Sequence, residues 1–477
     1  MRKASLLALL LGMLIFVLPA QDQVVIGTIA IQGAEKTRHQ VILNEMTLLT
    51  GDTVLLSEVP AALERSRNNI YNLGLFNEVT IQEIRLKEML HLIIEVKERV
   101  YIIGAPYLQV EERNSYDLVN ALLNLDFHRL VYGASLQWRN MTGRNETLTF
   151  FGQLGFSQRF SIDFNRPTLS RNRLDYRTGI RYVNQHEVII GTEQGKAQWR
   201  RVESEPLETS WQVYAGAKQR LGLYKTLYAE LRYDRYHYSD SLYSFSLEGG
   251  PPLSITQANG IERFPSFTLQ FYEDQRDYKA FPLSGWKYQI FGRIAGGPSA
   301  LASTNFGKLG ATWAHHLPIG GRRLNFAYGL QQIVSIGDRI PFFTKSFLGI
   351  NRSEFSGVST NLRGYEPFAL ATTYMSVVKT EWKYALYPRQ ILHFDEIPYP
   401  RFQDLQFGLY LSAFLDGAYL RDDAFNRADQ YLKNQLLYSY GLGLNMIGFY
   451  DILLRVEYSR NHLQQAGLYL HADLQIK

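Results

Sequence analysis

The sequence predicts a small α+β domain with its elements in the order β-α-α-β-β, followed by an all-β, antiparallel transmembrane barrel of about 16 strands. Three observations carry that prediction. Residues 1–20 read as an export signal, no later stretch is long and apolar enough to span a bilayer as a helix, and from about Tyr101 a helical apolar period gives way to alternation. An exported chain that enters a membrane without helices must use strands. Hydrocarbon offers no partner to an unpaired backbone N–H or C=O, so the sheet has to close.

Composition fits this reading. The 477 residues are 46% hydrophobic with a mean hydropathy of −0.19, which excludes a bundle of transmembrane helices. The 31 Tyr and 27 Phe are many for a soluble enzyme, and with 37 Gly they suit a barrel carrying aromatic girdles. The net charge of +5 is spread along the chain, so no basic patch points to nucleic acid. The absence of Cys excludes a disulfide framework, a lipid-anchoring cysteine, a thiolate nucleophile and a Cys-based zinc site. In the export signal, Arg2 and Lys3 supply the charge, Ala4 to Val17 the apolar run, and Pro19-Ala20 the cleavage point.

Residues 21–98 form the first unit. Val24 to Ile31 read as a β-branched strand stopped at Gly33. Arg38 to Leu49 place Val41, Ile42, Met46 and Leu49 at helical spacing. A second helix starts from Ser57 as N-cap, runs through Ala61, Leu63, Ile70 and Tyr71, and ends at Gly74 as a C-cap. Phe76 to Ile84 and Met89 to Val96 are two strands joined at Lys87-Glu88.

Residues 99–477 form the second unit. The clearest strands are the last. In Gly467 to Lys477, Leu468, Leu470, Ala472, Leu474 and Ile476 share one face, and Tyr469, His471, Asp473 and Gln475 the other. Asp451 to Tyr458 and Gln435 to Met446 repeat the alternation. Thirteen earlier stretches, from Tyr101–Val110 to Leu405–Asp416, complete the set, with 187–206 ambiguous. Short connections alternate with long ones, which puts Gln185–Leu207, Ser239–Arg263 and Gly337–Thr373 outside the cell. One long connection, Pro388–Asp404, falls on the periplasmic side.

Within the long external loop stands Leu362-Arg363-Gly364-Tyr365, and downstream stands Phe414-Leu415-Asp416-Gly417. Alternation turns Tyr410, Ser412, Phe414 and Asp416 into the lumen, so Asp416 meets Arg363 only if the loop enters the barrel. A guanidinium in a narrow lumen needs an anion, and a carboxylate fork supplies one with defined geometry. Gly364 permits a tight turn beside the arginine.

The residues of both units resemble a known family. The β-α-α-β-β order with Gly33 and the junction Gly74, Phe76 and Val79 resembles a POTRA domain, and such a domain offers sheet edges to extended polypeptides. Arg363, Gly364 and Tyr365, with Phe414 and Asp416, match the inward-folded sixth loop and facing strand of the Omp85 superfamily. Asp274, Arg276 and Asp277, followed by Pro282 and Gly285, resemble its periplasmic turn. The resemblance implies an outer-membrane barrel with its arm in the periplasm. Its partners would be the bilayer, unfolded polypeptide clients and periplasmic or lipoprotein accessories, with no nucleic acid, cofactor or metal. It also implies that Arg363 and Asp416 lock the loop and that a weak seam lies between first and last strands. Gly104 and Pro106 either weaken the first strand at that seam or precede its true start.

No nucleophile elbow, phosphate loop or HExxH motif argues for an enzyme. His393, Asp395 and Glu396 lie in an irregular Pro-rich stretch, which reads as a solvated turn rather than a metal site, and His315-His316 point to opposite faces of a strand. The leading function is insertion or export of polypeptides. The alternatives are a passive pore for small solutes, which needs neither arm nor lock, and a dedicated two-partner-type secretion transporter.

Overall fold

The computed structural model describes residues 22–110, 130–167, 174–202, 204–242, 260–321, 323–337, 340, 344–349, 361–398, 403–421, 431–448 and 451–473. The export signal and the end of the chain after 473 lie outside them.

The arm contains β1 (Gln23–Gln32), α1 (His39–Leu43), β2 (Thr53–Leu55), α2 (Val59–Tyr71), β3 (Phe76–Leu86) and β4 (Met89–Glu98). Its sheet has the order β2-β1-β4-β3, with β1 parallel to β4. Ile26, Ile42, Ile70, Leu75, Phe76, Leu92 and Ile94 close the core between sheet and helices. Gly33 and Gly74 take left-handed φ of 78° and 69°. A Cβ on Gly33 would lie 2.0 Å from the Val96 carbonyl oxygen, so only glycine fits that turn.

Three expectations for the arm are corrected. The first helix is only His39–Leu43, because Glu45 and Met46 turn back onto Ile42 and Leu43 through i→i−3 bonds and Leu49 is left exposed. Ser57 does not cap the second helix. A 3₁₀ turn, Leu56–Glu58, leads into it, and Pro60 in its first turn fixes the start at Val59. The buried helix face is Val59, Ala62, Ser66 and Ile70, so Ala61 is exposed. The short edge strand β2 is an element that the expected order lacked.

Sixteen antiparallel strands then form one sheet. They are β5 (Ile102–Val110), β6 (Leu130–Arg139), β7 (Thr147–Gly155), β8 (Ser157–Arg166), β9 (Leu174–Gln185), β12 (Glu208–Arg220), β13 (Lys225–Tyr238) and β14 (Ile261–Asp274). The set continues with β15 (Gly285–Ala295), β16 (Phe306–Gly320), β17 (Leu324–Ile336), β20 (Tyr374–His393), β21 (Asp404–Arg421), β22 (Leu436–Ile447), β23 (Leu453–Asn461) and β24 (Ala466–Asp473). The ambiguous stretch is an external hairpin, β10 (Glu187–Glu193) with β11 (Lys196–Arg201). Two short strands, β18 (Ser346–Leu348) and β19 (Leu370–Thr372), pair within the long external loop.

The alternation obeys the membrane pattern. Leu411, Leu415, Tyr438, Leu442, Val456 and Leu468 are exposed toward lipid, while Ser412, Asp416, Ser439, Asn445 and Glu457 are buried inside. Gly104 and Pro106 lie within β5, opposite Leu136 and Ala134 of β6. Among the described residues β5 pairs only with β6 and β24 only with β23, so no ladder joins the two ends of the sheet.

The long periplasmic connection expected at Pro388–Asp404 is shorter, because its first six residues continue the strand. Strand β20 runs to His393, opposite Asp404, and the ladder skips between Ala385 and Gln390, where Pro388 has no N–H to give. His393 there sits between carboxylates, with Nδ1 at 2.7 Å from Asp404 and Nε2 at 3.0 Å from Asp395.

Gly33→Ala forces a Cβ into both a left-handed φ and a backbone oxygen. It is expected to destabilise the arm by more than about 1 kcal/mol. Protease cutting within residues 22–98 of the intact protein should begin at lower denaturant than in wild type.

Candidate functional site

The external loop folds back into the lumen. Residues 362–366 are buried, with Leu362 and Tyr365 fully so, and the turn closes by Tyr365 N–H donating to the Leu362 carbonyl at 3.1 Å. Gly364 has φ +82°, and a Cβ there would come within 3.2 Å of Ser459 Oγ and 3.3 Å of Ser439 Cβ. Small residues on β22 and β23 thus let the loop backbone lie flat on the wall. Asn461 of β23 donates to the Gly364 carbonyl at 2.9 Å.

Arg363 reaches across to β21. Its Nε and Nη2 donate to Asp416 Oδ2 and Oδ1, each at 2.7 Å, a two-pronged fork. Nη2 also donates to the Thr380 carbonyl at 3.3 Å, and the guanidinium carbon lies 3.8 Å from the centre of the Phe414 ring. Glu381 of β20 and Glu457 of β23 approach Nη1 at 3.4 and 3.5 Å. One cation is therefore surrounded by carboxylates from three strands. Next to it, Tyr365 donates to the Tyr438 carbonyl at 3.2 Å and touches His462 Nδ1.

Arg363, Gly364, Tyr365, Phe414 and Asp416 thus come together in one cluster. Sequence reasoning missed Glu381, Glu457, Asn461 and His462. The alternation that turned Asp416 inward also turns Glu381 and Glu457 inward, and it was the available signal. The loop is capped from above by the β10–β11 hairpin, where Ala369 N–H donates to the Gly195 carbonyl at 2.7 Å.

A second constellation sits at the periplasmic mouth. Arg276 forks onto Asp274 at 2.7 and 2.8 Å, and Asp277 accepts from the N–H groups of Leu283 and Ser284 at 3.1 Å. Gly285 has φ +93°, and a Cβ there would lie 2.2 Å from the Gln275 carbonyl oxygen. These contacts fold the turn so that Tyr278 and Phe281 are buried and the Pro282 carbonyl accepts from Lys383 at 3.2 Å.

The arm docks on this turn and on the rim around it. Arg99, at the end of the arm, donates to Asp451 at 3.1 Å, to the Tyr71 hydroxyl at 2.9 Å and to the Phe76 carbonyl at 2.8 Å. Tyr278 donates to the same Asp451 at 2.6 Å. Burial, opposed by the Arg99 charge and aided by that of Asp451, pushes the Tyr71 hydroxyl up to about 12, so it remains a donor. Asn72 bonds both Asp277 and Lys279, at 3.0 and 3.1 Å, and Glu45 receives a fork from Arg220 at 2.6 and 3.1 Å. Gly74 and Phe76 are part of this joint, since the Gly74 carbonyl accepts from Arg139 at 3.2 Å. Val79 is core only. The sequence reading did not foresee the Arg99–Asp451 pair, whose partners are 352 residues apart.

A one-domain arm beneath a sixteen-stranded barrel with an inward-folded loop defines a class, the outer-membrane barrels that carry a periplasmic arm. Comparison with known proteins names it. Residues 140–448 match the Omp85 superfamily domain and residues 24–99 match the POTRA family described as surface antigen variable number repeat, and the chain belongs to the Omp85 superfamily. CdiB from Escherichia coli shares the fold over 95% of this chain and 76% of its own, at 12% identity and a TM-score of 0.57. CdiB from Acinetobacter baumannii aligns over 94% and 74%, at 12% identity and a TM-score of 0.50. BamA from Haemophilus ducreyi lacking POTRA domains 1-3 aligns over 94% and 83%, at 13% identity and a TM-score of 0.49. No curated protein matches the sequence. The protein sits in the outer membrane with its arm in the periplasm, and members of its family serve outer-membrane protein insertion or secretion as transporters and assembly factors rather than enzymes.

Asp416→Ala leaves the Arg363 charge buried beside Glu381 and Glu457 alone. A cost of about 3 kcal/mol is expected, the low end for a broken buried pair. Trypsin should then cut after Arg363 in the folded barrel, where wild type resists; Glu381→Gln should leave that resistance nearly intact.

Proposed function

We propose that this protein inserts or exports polypeptides at the outer membrane. The observation that carries the reading is the fork from Arg363, on an external loop, to Asp416 on the lumen wall, 2.7 Å in both prongs. A loop fixed across the lumen narrows it, and a passive pore would need no periplasmic arm beside it. A barrel that must admit a chain needs a fixed inner surface beside a wall that can open. The loop is anchored on β21, β22 and β23, the strands just inside the unpaired edge of β24. The lock therefore holds the wall next to the seam, where no ladder joins β5 to β24 among the described residues. Gly104 and Pro106 on β5 lower the pairing strength of the opposite edge. In this reading the arm captures an extended client, and both client and periplasmic or lipoprotein accessories meet the barrel at the mouth formed by α2 and the 275–284 turn.

The deciding experiment offers an unfolded outer-membrane protein to liposomes containing the full-length chain and follows folding by protease resistance. Faster folding than in empty liposomes, reduced by Asp416→Ala, is the expected result. Wild-type rates in Asp416→Ala would overturn the lock. No acceleration by the intact protein, with steady conductance to small solutes, would replace this reading with the pore.

A further inference from the structure

The lipid-facing surface carries an arrangement that neither the lumen nor the arm explains. Strands β13 and β14 pair with Arg235 directly opposite Arg263. Both point outward, because their neighbours Asp234, Glu262 and Phe264 are buried inside while Tyr233, Leu231, Phe267 and Leu269 are exposed on the same outer face. Like charges directly opposite on adjacent strands repel, with Cβ atoms about 5 Å apart. Neither guanidinium has a hydrogen-bond or ion-pair partner among the described residues. The exposed His237 follows on the same face of β13.

The position of the pair is equally specific. Register runs in one row from Phe160 to Tyr182, Trp211, Arg235 and Arg263 across five strands. The first three are lipid-facing rings in contact, with centroids 6.5 and 4.6 Å apart. Such rings mark the band where hydrocarbon meets headgroups, and Arg235 stands directly beside Trp211 of that band. Strand direction puts this end of β13 and β14 on the external side, away from the arm. Beneath the pair lies apolar surface, with Leu231 at 65% and Ile294 at 72% among its most exposed residues.

We infer that Arg235 and Arg263 form a binding site for the phosphate of an outer-leaflet glycolipid. Two guanidinium forks at this separation fit the oxygens of one phosphate, which removes their mutual repulsion, while acyl chains lie on Leu231, Phe267 and Leu269. A lipid held there would fix the outer surface of β13 and β14, on the barrel wall away from the seam. The site does not depend on the proposed function.

The test is native mass spectrometry of the full-length protein in neutral detergent with diphosphoryl lipid A, dephosphorylated lipid A or phosphatidylglycerol. Wild type should retain one diphosphoryl lipid A and release the other two. The double variant Arg235→Gln/Arg263→Gln should bind it about tenfold more weakly, as expected on losing charge-assisted forks. Arg460→Gln, which removes an exposed arginine from another strand, should bind as wild type does. Equal retention by the double variant, or equal retention of dephosphorylated lipid A or phosphatidylglycerol by wild type, would overturn the site. The lipid comparison on wild type stands even if the double variant fails to fold.

Discussion

An arginine carried into a narrow lumen has to be neutralised there, and the architecture around Arg363 follows from that need. Asp416 takes two prongs of the guanidinium, Phe414 covers its face, and Glu381 and Glu457 complete the negative surroundings. These residues come from β20, β21 and β23, so a single side chain ties neighbouring strands to a loop that enters from outside. Desolvating that many charges is costly, and the geometry has to be good to offset it. Small residues make it so: Gly364 lies on Ser439 and Ser459, and Asn461 holds its carbonyl.

The periplasmic joint solves the same problem with another arginine. Arg99 is buried where the arm meets the barrel, and Asp451 neutralises it while Tyr71, Tyr278 and the Phe76 carbonyl fill the remaining hydrogen bonds. The arm is thereby held in one orientation beneath the mouth, against the folded 275–284 turn. The Arg363 site draws on β20, β21 and β23, whereas the arm is also tied to earlier strands through Arg139 and Arg220.

Much of this was legible in the chain. Alternation alone placed all sixteen strands, since lipid outside and water inside demand a change of polarity at every residue. The same parity turned Asp416 inward, and the length of the external loop allowed Arg363 to reach it. Where period was weak, reading failed. The helix at His39 stopped early because i→i−3 turns took over, and Pro388 hid a continuing strand because a bulge absorbs it.

The sequence by itself determined about sixteen strands, their inward and outward faces, and that Asp416 turns inward, where it meets Arg363 only if the loop enters. These depend on local patterns of polarity and on the demand that a buried charge have a counter-charge. Only the tertiary structure decided that Arg99 meets Asp451, that Glu381 and Glu457 share the Arg363 site, and that Arg235 faces Arg263. Those contacts depend on strand register and on how the arm sits under the mouth, and register is set by the pairing of whole strands, which no local pattern records.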